Sequence, residues 1–218
     1  MAFNRRTAIW AALAGGVAGY FGSRLQFPFF GPPVKKLTAA EKAACAITVE
    51  ATEGPYHVSG VGELKDGMLN FTNLPGEAVE VSGHVYEGLD FAKPVSGAQV
   101  EIWHADSNGS YHPNGNGPST DYKPEEIALR GYVVTGADGA YRFTTIYPGE
   151  YTGRTRHYHF KIRAPGKPEL TTQLIVPARP GDKLTFDTDD IAEGLPNCQL
   201  LTVDETAKPA RASFDFRV

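Results

Sequence analysis

Turn-forming residues recur along this chain and divide it into short segments. It contains 24 glycines and 16 prolines among 218 residues. Both residues destabilise helix interiors, and both are typical of the turns that connect short strands. No segment keeps a helical spacing of apolar residues over more than about ten positions. The sequence therefore predicts a mainly β protein with few short helices.

Six runs of strand-forming residues lie between these turns. We expect strands over 79–86, 95–104, 131–135, 140–147, 157–163 and 170–176. The Ala-Asp-Gly segment at 137–139 is a hairpin signal, and Phe214 and Phe216 alternate with charged residues as in a last strand. Short strands at this spacing favour a β-sandwich.

The N-terminus has the features of an export signal. Arg5 and Arg6 precede an uncharged run over 7–23 that is rich in alanine and glycine. Paired arginines before a moderately hydrophobic run indicate twin-arginine export to the periplasm, the cell exterior or the membrane surface. The alternative for this run is a buried N-terminal helix.

These features suggest three regions. We expect a signal or membrane anchor over 1–25, a linker and short helix over 26–44, and a β-sandwich domain over 45–218. An uncleaved signal would tether the protein to a membrane. Export would also place the two cysteines, Cys45 and Cys198, in an oxidising compartment where they can pair.

The charge pattern excludes one class of partner. The chain has 21 basic and 25 acidic residues and a net charge of −4, without a basic stripe. Nucleic-acid binding depends largely on a cationic face, so we expect no nucleic acid among the partners.

One histidine pair indicates metal chemistry. Residues two apart in a strand share a face, so His157 and His159 would project side by side, with Tyr158 directed to the core. Two adjacent imidazoles form a chelating pair. An exposed pair without a ligand is the other interpretation of His-x-His alone.

Five segments together resemble the intradiol ring-cleavage dioxygenases. They are Glu-Gly-Pro-Tyr at 53–56, Val-Glu-Ile-Trp-His-Ala-Asp from 100 through to Tyr111, Asp-Gly-x-Tyr-x-Phe-x-Thr-Ile at 138–146, Arg-x-x-His-x-His-Phe at 154–160 and Leu-Thr-Thr-Gln at 170–173. They follow the family's order and approximate spacing over about residues 45–180.

The resemblance implies a β-sandwich catalytic domain that holds a non-haem Fe(III). Carried over by motif, the metal ligands would be Tyr111, Tyr151, His157 and His159. The substrate would be a catechol-type diol that is cleaved with O2 to a cis,cis-muconate. It would displace Tyr151, with Arg154 stabilising negative charge and Gln173 in a polar role near the ring.

The chain departs from the common family pattern in three respects. The usual His-Ile-His is His-Tyr-His at 157–159, and the loop from Tyr151 to His157 is short. A helical N-terminal dimerisation region is also missing, which favours a secreted single-domain member. The sequence does not define the particular catechol or the oligomeric state.

Two other functions remain open from the residues alone. One is a secreted β-sandwich binding module in which the histidine pair is incidental. The other is a zinc- or copper-dependent hydrolase that combines the pair with a carboxylate such as Asp106. His104 is expected to pack near the site, His112 to lie at the pocket mouth or in an exposed loop, and Tyr56 to line the substrate cavity.

Overall fold

A computed structural model describes residues 47–90 and 93–218. Within them it contains eleven strands: β1 (Val58–Ser59), β2 (Ala78–Tyr86), β3 (Gln99–Trp103), β4 (Gly117–Pro118), β5 (Arg130–Val134), β6 (Ala140–Ile146), β7 (His157–Arg163), β8 (Leu170–Ile175), β9 (Thr202–Asp204), β10 (Ala210–Ser213) and β11 (Phe216–Arg217). The helices of this part of the chain are short 3-10 turns, at Lys65–Gly67, Ser119–Asp121, Pro124–Glu126, Ala192–Gly194 and Asn197–Gln199.

The longer strands form two sheets. In one, β2 pairs antiparallel with β6 on one edge and parallel with β10 and then β11 on the other, and β9 extends the sheet beyond β10. The other has the antiparallel order β5-β3-β7-β8. Its register sets Trp103 opposite His159 and His159 opposite Gln173.

The core lies between these sheets because alternate residues of each strand point inward. Val81 and Phe143 from the first sheet and Ile102 and Phe160 from the second are fully buried in one hydrophobic cluster. Burying each such side chain contributes roughly 1.5–3 kcal/mol. Two sheets packed over a shared core confirm the predicted β-sandwich.

Most strand predictions are confirmed within one residue at each end, and His157–Arg163 has the predicted bounds. The strand expected over 95–104 is shorter, Gln99–Trp103. The reason is a turn at Gly97, which has a φ of +75° and donates its N–H to the Thr135 carbonyl. The last strand expected around Phe214 and Phe216 is present as Phe216–Arg217, whereas strands β1, β4, β9 and β10 were not predicted.

Several predictions lie outside the described residues: the signal over 1–25, the linker and helix over 26–44, and Cys45. Cys198 is disulfide-bonded, and Cys45 is its expected partner. Within 47–90 and 93–218, we find no helix with the length and hydrophobicity that a membrane span requires.

Candidate metal centre and active site

The outer face of β7 begins with the two histidines of the predicted chelating pair. Tyr158 points into the core between them, 1% exposed. His157 and His159 are themselves 2% and 1% exposed, because the neighbouring loops cover this end of the sheet. The pair is therefore buried, and the interpretation as an exposed pair is wrong.

Three polar atoms converge at this point. His157 Nε2 lies 3.0 Å from His159 Nε2, and the Tyr111 hydroxyl lies 3.1 Å from His159 Nε2 and 3.5 Å from His157 Nε2. Ligand atoms that share one metal ion at about 2.1 Å are about 3.0–3.4 Å apart at octahedral to tetrahedral angles. Two of the three separations lie in this range and the third, 3.5 Å, lies just above it, so the three atoms are spaced closely enough to share one metal ion.

The hydrogen bonds of the imidazoles also suit a cation. His157 Nδ1 lies 2.6 Å from the Thr155 carbonyl, so Nδ1 carries the proton and the Nε2 lone pair faces the cluster. Nδ1 of His159 is buried without a hydrogen-bond partner. Burial, reinforced by Arg154, lowers the pKa of His157 to about 3, and burial followed by His157 lowers that of His159 well below its ordinary value. Neutral imidazoles with inward lone pairs are the form that binds metals.

Tyr111 is a phenol in this environment unless a cation is near. Its side chain is 3% exposed, and burial raises its pKa well above the ordinary value, with Tyr151 adding to the shift. A bound metal ion reverses this effect, since it is the largest local charge and favours the phenolate. Phenolate oxygens are hard anionic donors, which fit a trivalent ion better than a soft one.

Two glycines allow the loops that carry the tyrosines to meet. Gly109 has a φ of +83°, and a Cβ there would lie 2.0 Å from the Glu150 carbonyl oxygen. Gly149 approaches the same turn from the other side, where a Cβ would lie 2.5 Å from Gly109 N. The turn is held by Asp106, whose Oδ1 accepts N–H bonds from Asn108 and Ser110. This close approach brings the Tyr151 loop against the Tyr111 loop.

Tyr151 and Tyr56 complete an aromatic cluster around the site. The Tyr151 ring lies 5.2 Å from that of Tyr111 and 5.5 Å from that of His157, between ring centroids. Burial raises the pKa of Tyr151, and Arg154 opposes the shift through its charge and a hydrogen bond. Tyr56 stacks on Tyr111 with centroids 4.4 Å apart, which places it in the aromatic cluster beside the proposed ligands.

Arg154 and Gln173 lie together beside the metal cluster. Arg154 is 7% exposed and donates from Nη2 to Gln173 Oε1 at 2.7 Å. Gln173, fully buried on β8, donates from Nε2 to the Thr52 carbonyl. The structure therefore brings together all six predicted site residues, with the arginine charge held next to Tyr151.

Sequence reasoning missed two residues of this region. Trp103 stacks on His159, with centroids 4.9 Å apart and an interplanar angle of 8°. Its place on β3 opposite His159 could have been inferred from the strand register. Asp189 accepts a hydrogen bond from Arg154 Nε at 2.9 Å. Asp189 lies in a segment that has no strand pattern, so no signal in the sequence marks it.

The remaining candidates have structural roles. His104 is fully buried and bonded to Thr145 Oγ1 and to the Ala105 carbonyl. Asp106 Oδ2 binds His112 Nε2 at 2.9 Å. Within the described residues, no three His, Cys, Asp or Glu side chains form a metal-binding group. A hydrolase site that adds Asp106 to the histidine pair is therefore not supported.

Comparison with known proteins gives a consistent family. A family model described as "Dioxygenase" matches residues 52–218. The chain is 35% identical over 176 residues to catechol 1,2-dioxygenase 1 of Acinetobacter lwoffii, covering 70% of this chain and 53% of the relative. It is 33% identical over 182 residues to 6-chlorohydroxyquinol 1,2-dioxygenase of Cupriavidus pinatubonensis, covering 75% and 61%. The chain thus spans little more than half the length of these curated relatives.

Solved structures agree. The dioxygenase domain of a dioxygenase–carbohydrate-binding fusion from Streptomyces sp. SirexAA-E superposes with a TM-score of 0.64 at 35% identity, covering 79% of this chain and 97% of that one. The intradiol ring-cleavage dioxygenase of Tetranychus urticae has a TM-score of 0.67 over 79% of this chain and 94% of its own, and at 22% identity it supports the fold alone. From the family model, these relatives and the shared sandwich, we conclude that the chain belongs to the intradiol dioxygenase family.

Proposed function

We propose that this protein is an Fe(III)-dependent dioxygenase that opens the ring of catechol-type diols between the two hydroxyl-bearing carbons. Both atoms of O2 enter the product, which is a cis,cis-muconate. The observation that carries the proposal is the convergence of two imidazole Nε2 atoms and the Tyr111 hydroxyl beside a buried arginine. The names of the relatives, which act on catechol and on 6-chlorohydroxyquinol, support a diol substrate.

The residues that would hold the iron are Tyr111, Tyr151, His157 and His159. Two phenolates balance most of a triple positive charge, and the imidazoles stay neutral, so little net charge is buried. When bound, the ferric ion supplies a Lewis-acidic centre that binds the diol oxygens and withdraws electron density from the ring.

The chain's own residues then divide the work. Tyr151 is partly buried whereas Tyr111 is 3% exposed, so Tyr151 is the ligand that we expect the substrate to replace. Its hydroxyl oxygen then holds a proton taken from the diol. Arg154, which is 7% exposed, stabilises negative charge on the substrate from a fixed position. Gln173 holds the guanidinium through Oε1.

Visible spectroscopy and oxygen consumption test this function. We expect the iron-loaded protein to be coloured by tyrosinate-to-iron charge transfer, and its spectrum to change when catechol is added without O2. With O2 present, one O2 should be consumed for each diol. A colourless native protein that contains stoichiometric zinc, or one that binds no diol, would contradict the proposal and favour the hydrolase or the binding module.

A neighbouring arginine offers a matched control for Arg154. Arg154→Lys keeps the charge and loses the planar fork, so kcat should fall about 100-fold at unchanged iron content. Arg156 makes a similar ion pair with Asp182, with nitrogen–oxygen distances of 2.7 Å, and donates to the Pro148 carbonyl. Arg156→Lys should therefore leave kcat within about twofold, since surface and partly exposed pairs affect mainly stability.

We also propose that the protein is exported by the twin-arginine route, with the N-terminus as cleaved signal or membrane tether. The arginine pair and the disulfide at Cys198 support it, because disulfides persist in oxidising compartments. The double variant Arg5→Lys, Arg6→Lys should leave active enzyme in the cytoplasm. Unchanged export in cell fractionation would contradict this route.

A further inference from the structure

Asp189 is the most heavily hydrogen-bonded carboxylate beside the site. It is 1% exposed and lies between β8 and β9, where the chain turns back over the Arg154 loop. Oδ1 accepts the N–H groups of Ile191 and Ala192, at 2.9 and 3.1 Å, and Oδ2 accepts that of Thr155 at 2.7 Å. Both oxygens also accept a hydrogen bond from Arg154 Nε, at 3.0 and 2.9 Å.

All four of these partners are donors, and this explains the residue type. An ionised carboxylate has only acceptor sites, enough for every N–H that points at it. Burial opposes this ionisation, but Arg154 and the N–H groups outweigh it and keep the pKa of Asp189 below its ordinary value. An asparagine would offer one oxygen and turn an NH2 group toward donors.

The contacts fix the direction of the Arg154 guanidinium. Nε is held by Asp189, and Nη2 is held by Gln173, which is itself anchored to the Thr52 carbonyl. The two anchors lie on different edges of one planar group, so they set its orientation as well as its position. The charge of this guanidinium opposes the rise that burial causes in the pKa of Tyr151, so the arginine acts on the phenol beside the metal cluster.

We propose that Asp189 is a positioning residue for ring cleavage, which holds Arg154 so that its charge faces the bound diol. The inference rests on the proposed function. Asp189 has no hydrogen bond to a proposed metal ligand, and its ion pair is with Arg154, so we assign its effect on the reaction to the arginine. Its other route to the site runs through Thr155, whose carbonyl holds His157, and a change along that route would show as loss of iron. Without it, a buried Nε–H loses its partner and the guanidinium can rotate away from the substrate.

Asp182 provides the matched control. It is a second carboxylate with a largely covered side chain, 6% exposed, that binds an arginine through both oxygens and accepts a backbone N–H from Arg179. Its arginine, Arg156, holds the Pro148 carbonyl rather than a site residue. Asp182→Asn should therefore cost similar stability without a change at the reacting atoms.

The experiment compares Asp189→Asn with Asp182→Asn in the full-length, iron-loaded protein, with catechol as substrate. For Asp189→Asn we expect kcat to fall about 10–100-fold, as for other groups that orient a functional residue, with KM within about threefold and iron content unchanged. Asp182→Asn should keep kcat within about twofold while its Tm falls similarly. In a protein that already carries Arg154→Lys, Asp189→Asn should lower kcat little further, because both substitutions disrupt the same contact between Arg154 and Asp189.

Several outcomes would overturn the proposal. They are an unchanged kcat in Asp189→Asn, an equal fall in Asp182→Asn, losses that multiply in the double variant, or loss of iron from Asp189→Asn. If Asp189→Asn does not fold, Asp189→Glu decides, since it keeps the charge but displaces it, and should lower kcat in an iron-replete protein. Failure of both to fold would assign Asp189 to the fold alone. A wild-type protein that turns over no diol would instead refute the proposed function, and the role of Asp189 with it.

Discussion

The outer face of β7 carries two clusters that differ in how completely their polar groups are paired. At the start of the strand, His157 and His159 lie beside Tyr111, and the three side chains are uncharged. Nδ1 of His159 has no hydrogen-bond partner. At its end, Lys161 and Arg163 point from the same face. Each of them is bound to two carboxylates.

The second cluster closes on itself. Six side chains alternate in contacts of 2.5–3.5 Å, and we call them the charge ring: His57, Glu101, Arg163, Glu169, Lys161 and Glu53. Every member faces a partner of opposite charge or a histidine, so the ring needs no ligand. The histidine cluster is more deeply buried than the ring, and Nδ1 of His159 is left without a hydrogen-bond partner. On one strand, incomplete pairing therefore distinguishes a metal site from a structural network.

The largest effect should come from removing one donor of the incomplete cluster. His159→Ala or Tyr111→Phe should weaken iron binding by more than about 100-fold, since groups that only orient a metal ligand already account for about 10–100-fold. Iron per chain and visible absorption would measure the loss.

Lys161→Met is the control on the same face of β7, because it removes a charge and leaves all four proposed ligands in place. It should keep a full complement of iron. Comparable iron loss in Lys161→Met would show that the two clusters are not separate.

Breaking the charge ring at its buried member should mainly affect stability. Glu101 has a side chain that is 4% exposed, and it accepts bonds from His57 at 2.7 Å and Arg163 at 2.6 Å. Breaking a buried pair costs about 3–5 kcal/mol, and since Arg163 is partly exposed we expect about 2 kcal/mol for Glu101→Gln. Glu80→Gln is the control, because Glu80 and Arg142 form a 3.7 Å ion pair on the sheet that does not carry the ring. Its free energy of unfolding in urea should fall by less than about 0.5 kcal/mol.

The same variant should change the pH dependence of stability. Burial opposes ionisation of Glu101, but the hydrogen bonds from His57 and Arg163 outweigh it and lower its pKa. A lowered pKa gives stability that is complete above the unfolded-state value of about 4.3 and is lost as the pH falls through the folded-state value. Wild-type stability should thus fall more steeply below about pH 4 than that of Glu101→Gln. Parallel curves would contradict this role.

The difference between the clusters also explains what the sequence could predict. The bounds of β7 and the shared face of His157 and His159 follow from the two-residue period, which is local. Strand β10 was missed because its pairing with β2 joins Ala210 to Val79 across the whole domain. Asp189 was missed for the same reason, since its arginine lies 35 residues away in the chain and no local pattern marks the contact.

The ligand set was predictable only in part from the residues. Spacing brought the histidines together, whereas the tyrosines came from the family resemblance. Their meeting depends on Gly109 and Gly149, where loops touch backbone to backbone. A glycine in a loop has many uses, so this contact becomes visible only in the folded chain.

The smallest effect should come from the exposed member of the charge ring. Glu169 has a side chain that is 42% exposed and pairs with Lys161 at 3.3 Å and Arg163 at 2.6 Å. In Glu169→Gln both cations keep a carboxylate, Glu53 for the lysine and Glu101 for the arginine, and water solvates them at this exposed position. We therefore expect a loss of about 0.5 kcal/mol in urea unfolding, less at high salt, and no change in iron content. In the Glu101→Gln background the same substitution should cost more, because Arg163 then has no carboxylate partner left in the ring. Equal costs in both backgrounds would show that the six residues act as separate pairs rather than as one ring.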